Sequence, residues 1–412
     1  MRASIFLRAA AVLVLPALAA CGGDTPAVRA VSRDSAGVRI VENAAPTWKA
    51  GEEWRLSAEP TLDIGLANGA AAYQFGRVSG AVRLSDGTVV VADGQSRQLR
   101  FFDRSGRHVR TVGREGGGPG EFKNMNPLTT TGDSLVVGDR TSQRVTVFAP
   151  DGSLVRAVPL EAPGTDGFLR PVGSLGDGSV LVVSGGLSRE EASNGVSRDS
   201  ITVLRLPPSG APRPLGRFAG DEMFTQGDGS RVMVAPRAFG LSSEVVAVPD
   251  GFFYGATDSY RIGRYDADGK LLRLINVQRE PRKVTPDDIE RYKESRRQAS
   301  AQGGRPPEMR QMLERSLDAM SFPETLPAYG ELLADPAGNL WVSDYRISAD
   351  DPGKWTVFNP EGRMLGTVDT PARMRVLEIG RDYLLGAWTD DLDVEHIRMF
   401  ALEKPAGATR AP

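Results

Sequence analysis

The stretch from Arg77 to Phe122 sets what this chain can fold into, because its pattern returns along the sequence. Val78 to Leu84 is rich in apolar residues and runs into the turn Ser85-Asp86-Gly87. Val89-Val90-Val91-Ala92-Asp93 follows, then a short polar loop, Leu99 to Phe102, the turn Asp103 to Gly106, and His108 to Val112. Short β-branched and aromatic runs separated by Asp-Gly and Ser-Gly turns predict strands joined by hairpins. Four strands in about 40 residues match one blade of a β-propeller. The unit ends in Gly113 to Phe122, too rich in glycine and proline for regular structure.

The first turn recurs at Gly132-Asp133, Asp177-Gly178, Asp250-Gly251, Ala337-Gly338 and Arg381-Asp382, each time ahead of an apolar run. The second recurs at Asp151-Gly152, Ser209-Gly210, Asp268-Gly269 and Glu361-Gly362. Six first turns against five second turns predict an all-β, six-bladed β-propeller over residues 39–404 whose last blade lacks its outer strand. Trp54 to Leu56 and Leu62 to Ile64, ahead of the first blade, can supply that strand and remove the open sheet edge. Residues 405–412 are expected to be a disordered tail.

Two departures from the period carry information. Gly185 to Arg198 lengthens the third blade between its second and third strands. Arg279 to Phe322, between blades four and five, changes character altogether. Thr285-Pro286-Asp287-Asp288 is a helix start, with a capping Thr, a first-position Pro and acids in the first turn. Gly303-Gly304 breaks the run, and Pro306-Pro307-Glu308 opens a second helix in which Met309, Met312, Leu313, Leu317 and Met320 share a face. A helical hairpin over about 285–320 is therefore expected, with that stripe packed on the ring. In an antiparallel blade the two hairpin turns lie on one face of the ring. The remaining loops and the blade-to-blade connections lie on the other. Every elaborated segment belongs to the second face, which makes it the expected functional face.

Residues 1–20 read as an export signal: Arg2 and Arg8, a short apolar run from Ala9 to Leu15, and small residues before Cys21. Leu18-Ala19-Ala20-Cys21 resembles the bacterial lipobox, which implies that Cys21 is acylated and begins the mature chain. Gly22 in place of Asp is, by the same resemblance, the pattern of outer-membrane lipoproteins. Residues 21–38 then read as a flexible tether. Cys21 is the only cysteine, so burial and not a disulfide must hold the fold. Loss of Arg2 and Arg8 leaves 48 basic against 52 acidic residues, and this net charge of −4 argues against nucleic-acid binding.

Strands ending in Ala92-Asp93, Gly138-Asp139 and Ser343-Asp344, followed by Phe101-Phe102-Asp103 or Val147-Phe148, resemble NHL-type repeats. Gly113 to Phe122 is similar to the connector of bacterial six-bladed propeller lipoproteins of that kind. The zinc-binding lyases of the NHL group need several histidines, and His108 and His396 are the only two here. Lactonase-like propellers hold calcium with Glu, Asn and Asp. Asp93, Asp139, Asp258, Asp344 and Asp390 recur at equivalent strand ends, although turn repetition alone predicts each to bond its own turn. There is no Gly-x-Ser-x-Gly elbow, and Gly116 to Gly120 lacks the Lys-Ser/Thr of a phosphate loop.

The resulting expectation is a monomeric, lipid-anchored envelope protein on the periplasmic side that binds a small molecule or protein partner. It has no evident catalytic site, cofactor or metal. Arg114, Glu115, Asp93, Asp139 and Asp344 are the candidate binding-face residues. The alternative is a hydrolase or lactonase-like enzyme with a divalent cation, calcium foremost, in the channel.

Overall fold

Val89, Val90 and Val91 are wholly buried on both sides of their strand. An uninterrupted apolar run suits a strand in a sheet covered on both faces, which is the situation of a blade between two neighbours. The computed structural model describes residues 30–161, 168–185, 194–227, 232–302 and 307–405. Its strands form six sheets, and the fold is a six-bladed β-propeller. Blade one is Val78–Arg83, Val89–Asp93, Gln98–Phe102 and His108–Val112, paired in sequence order. Gly87 takes φ +89° at its first turn, a conformation that side chains with a Cβ rarely adopt.

The core lies between blades. Six hydrophobic clusters occupy the six successive blade interfaces, including one between blades six and one. Phe122, at the end of the Gly-rich connector, is fully buried against Phe148, with ring centroids 6.0 Å apart. Gly113 allows this crossover: it has φ +88°, and a Cβ there would meet the Phe122 ring at 3.0 Å.

Two N-terminal segments close the ring. Arg55–Leu56 pairs antiparallel with the end of Glu395–Glu403, the last strand of blade six, and Leu62–Ile64 pairs antiparallel with its middle. Leu62 and Ile64 lie in the core shared by blades six and one, while the Trp54 ring sits tilted 5.9 Å from that of Trp341 in the core between blades five and six.

Three expectations need correcting. Residues 30–38 of the expected tether form a strand, a tight turn and the start of a second strand, and Cys21 lies outside the described residues. We call the first four strands β1 (Ala30–Ser35), β2 (Val38–Asn43), β3 (Arg55–Leu56) and β4 (Leu62–Ile64). β1 and β2 form a hairpin, and β2 lies parallel to Leu271–Val277, the fourth strand of blade four. Ala30–Ser35 stays largely exposed but pairs along its whole length with β2, and that backbone ladder is what a solvated tether would lack. Blade three has a fifth strand, Val232–Pro236, pairing with the far end of the 15-residue strand Arg213–Gly227. The lengthened part of that blade at residues 186–193 falls outside the described residues.

The third correction concerns the helices. α1 (Pro286–Gln302) and α2 (Pro307–Asp318) follow blade four in the chain and precede blade five. Thr285 and Asp288 cap α1 reciprocally: the Asp288 amide donates to Thr285 Oγ1 at 3.2 Å, and the Thr285 amide donates to Asp288 Oδ2 at 3.0 Å. Residues 282–284 and 324–326 bond to each other at the foot of the pair. Docking is through Ile289 and Tyr292 of α1, against Phe239, Phe322 and Tyr345. Of the Met/Leu stripe only Leu317 is fully buried; Met309 and Met312 are 49% and 60% exposed. The aromatic contacts of α1 already hold the pair, so the first turns of α2 stand clear of the ring.

Candidate functional site

The loop-rich face carries a cleft of about 590 Å³ between blades four and five. Its walls are the second-to-third-strand loop of blade four at Asp258 to Arg261, the outgoing connection at residues 277–282, the returning connection at residues 325–328, and Asp344-Tyr345 of blade five. Each comes from a loop type that strand order places on one face, so topology assembles the cleft from segments far apart in sequence. Arg279 is its central charge. It donates to Asp344 Oδ1 at 2.9 Å and lies 5.6 Å from the centre of the Tyr260 ring. Burial opposes the guanidinium charge, but the bond and charge of Asp344 outweigh it and hold Arg279 above the ordinary arginine value. Arg282 is tied to Asp288 at 2.5 Å, while Arg261 at the edge is exposed and makes no side-chain hydrogen bond among the described residues. Leu326, Pro281 and Val277 supply apolar wall. The cleft can therefore take a ligand with an apolar body and a polar or anionic group.

Asp344 and Tyr345 also line a second cavity of about 370 Å³, where the innermost strands of blades four and five begin. Here Glu244 and Glu331 come together. Burial first, and then the like charge of Glu331, push the Glu244 carboxyl up to about 7, against a bond from Ser242. The Glu331 amide donates to Ser343 Oγ at 2.7 Å. At the opposite end of the same inner layer, burial pushes Glu378 to about 7 although the Arg83 amide donates to it at 2.7 Å.

The residues singled out from sequence are not gathered into one site. Asp139 accepts from the amides of Lys123, Asn124, Thr141 and Ser142; burial opposes its charge, and these bonds still hold it below the usual carboxylate range. Asp93 accepts from the Gln95 amide and the Ser96 hydroxyl and pairs with buried Arg100 at 2.8 Å. Arg114 pairs with Glu121 at 2.7 Å, and Glu115 with Arg97 at 2.9 Å, inside and beside the Gly-rich connector. Asp390 accepts from the amides of Leu392 and Val394. Only Asp258 and Asp344 face the cleft. His108 bonds Thr111 on the outer strand of blade one, and His396 bonds Asp63 in blade six. Among the described residues no three His, Cys, Asp or Glu side chains are arranged to hold a metal ion, and no helix is long and apolar enough to cross a membrane.

Tyr260, Arg261, Arg279, Glu244 and Glu331 were missed by sequence reasoning. Arg279-Glu280-Pro281-Arg282 was visible only as the start of a segment that breaks the repeat. Its partner Asp344 is 65 residues away.

Comparison with known proteins agrees with the architecture. A family model described as a six-bladed β-propeller matches residues 74–160. A solved protein from Bacteroides vulgatus shares the fold at 11% identity and a TM-score of 0.52, covering 86% of this chain and 99% of that one. A gluconolactonase from Xanthomonas campestris aligns at 14% identity and a TM-score of 0.43, over 84% of this chain and 100% of that one. The calcium-binding protein regucalcin from Agrobacterium tumefaciens aligns at 10% identity and 0.41, over 81% and 93%. No curated protein sequence matches the chain.

Proposed function

We propose that this protein is an extracytoplasmic binding module with NHL-type blades, anchored by a lipid on Cys21 to the periplasmic side of the envelope, at the outer membrane. It takes its ligand on the loop-rich face. The cleft of about 590 Å³ between blades four and five carries this reading. It is large enough for a small ligand, it opens on the elaborated face, and its cationic edge at Arg261 and Arg279 is set over apolar wall. Asp344 contributes by holding Arg279; Asp93 and Asp139 serve their own turns, and Arg114 and Glu115 brace the connector.

Ser259→Trp tests the assignment. Ser259 is exposed on the cleft wall and its side chain bonds only the neighbouring Asp258, so an indole there fills the cleft without entering the ring's core. Native mass spectrometry of protein released gently from the envelope is expected to show a bound small-molecule mass in the unaltered chain and its loss in Ser259→Trp. Identical spectra for the two proteins would remove the cleft from consideration.

A second reading is favoured by one observation, the Glu244–Glu331 pair at the channel mouth. A carboxyl that burial and a neighbouring carboxylate push up, as they do Glu244, suits a divalent cation or an acid–base role, as in a metal-dependent hydrolase.

A further inference from the structure

The N-terminal strand sets which face of the ring lies nearest an anchor at Cys21. Val277 ends the fourth strand of blade four and leads directly into Gln278 and Arg279 of the loop-rich face. Asn43 lies beside Val277 in the parallel pairing, and Ala30 lies opposite Asn43. Ala30, the first described residue, is therefore at the loop-rich face. Nine residue steps separate it from Cys21. At about 3.5 Å per residue, fully extended chain spans no more than about 30 Å. An anchor at Cys21 holds that rim of the loop-rich face within this distance of the bilayer.

The same face carries an apolar and basic surface. In blade three, Arg213–Gly227 continues beyond the blade, where Met223 to Gly227 pairs with Val232–Pro236. This added hairpin faces α2 across a groove of about 230 Å³ lined by Phe224, Met233, Met309, Met312, Leu313 and Met320. Met233, Met309 and Met312 are 47%, 49% and 60% exposed. Around them Arg296, Arg310 and Arg315 have no ion-pair partner among the described residues, against unpaired Glu308 and Asp318; Glu314 is already held by Arg297 at 3.2 Å. Flexible thioether side chains bordered by free guanidinium groups suit the interface of an anionic bilayer, where the apolar groups enter the acyl boundary and the cations meet phosphate.

We propose that α2 and the blade-three hairpin form a membrane-docking surface for anionic phospholipid, so that the ring sits with its loop-rich face toward the bilayer. This rests on the reading of Cys21 as the anchor. The cleft beside α1 then opens at the membrane surface, which favours ligands that reside in or leave the bilayer.

The test uses the full chain purified from the envelope and reconstituted in vesicles, with an environment-sensitive thiol fluorophore on Met312→Cys or Val155→Cys. Val155 is 59% exposed at the turn-face end of blade two. In vesicles containing phosphatidylglycerol the Met312 label is expected to shift to the blue and the Val155 label to stay aqueous. Arg310→Glu with Arg315→Glu should abolish the shift while the chain still floats with the vesicles and its melting temperature is unchanged. An aqueous Met312 label, equal shifts at both positions, or a shift that needs added envelope protein overturns the docking surface. Labelling stoichiometry separates the two claims, since an acylated Cys21 takes no label. Two labels per chain refute the anchor, and docking then stands only if that chain still floats with phosphatidylglycerol vesicles and shifts at Met312.

Discussion

Deleting residues 54–64 is expected to turn a cooperatively unfolding ring into an aggregating chain. Trp54, Leu62 and Ile64 are 5%, 6% and 1% exposed and sit in the two interfaces that flank blade six. Burial of each large apolar side chain is worth about 1.5–3 kcal/mol. Losing three removes about 5–9 kcal/mol, comparable with the whole stability of a typical domain at roughly 5–15 kcal/mol. The deletion also leaves the backbone of Glu395–Glu403 as an open edge, ready to pair with another chain. Ile64→Ala is the graded version, with an expected loss of about 2–5 kcal/mol and no change in oligomeric state. Size-exclusion chromatography and urea melts distinguish the outcomes. A monomeric deletion variant with an unchanged melting temperature would mean that the ring closes without these strands.

Asp93→Ala should cost nearly as much from a single side chain. Asp93 is 1% exposed and Arg100 5%, and their ion pair is 2.8 Å long. Arg100 also donates to the Gln74 carbonyl at 2.5 Å and the Ser96 hydroxyl at 3.1 Å, tying the approach to blade one to its second and third strands. Removing the carboxylate strands a buried guanidinium, for which about 3–5 kcal/mol is the usual loss. Replacing both residues, Asp93→Ala with Arg100→Met, should recover much of it, because the unpaired charge then goes too. If Asp93 served a ligand instead, Asp93→Ala would weaken binding and leave the melt unmoved. Equilibrium urea denaturation of the single and double variants decides between these.

Local chemistry explains what could be read in advance. Turns such as Ser85-Asp86-Gly87 need a glycine at positive φ and an acid bonding two residues on, and Asp86 does accept from the Thr88 amide at 2.8 Å. Those requirements sit within four residues, so the number of blades could be counted from sequence. The strands that close blade six were also visible, as apolar runs left over once the repeats were assigned. The strand at Ala30–Ser35 was not. Ala36 and Gly37 at φ 50° and 79° are a hairpin turn, but small polar residues around them gave the composition of a tether, and the parallel pairing of β2 with Leu271–Val277 spans more than two hundred residues. The cleft was hidden for the same reason: Tyr260, Arg279 and Asp344 meet only after blades four and five pack. The aspartates at strand ends were conspicuous because turns repeat, and repetition marks scaffold more readily than function.

The central claim, that the loop-rich face is where this protein meets its ligand or partner, is tested most directly by photo-crosslinking from both faces in intact cells. A photoreactive amino acid is placed at Arg261 on the cleft edge, and in separate proteins at Ser209 and Glu361, exposed turn positions on the opposite face. The labelled peptides are then read by mass spectrometry for added small-molecule or protein mass. Adducts at Arg261, with Ser209 and Glu361 unmodified, are the predicted result. Adducts at the turn positions with Arg261 silent would contradict it.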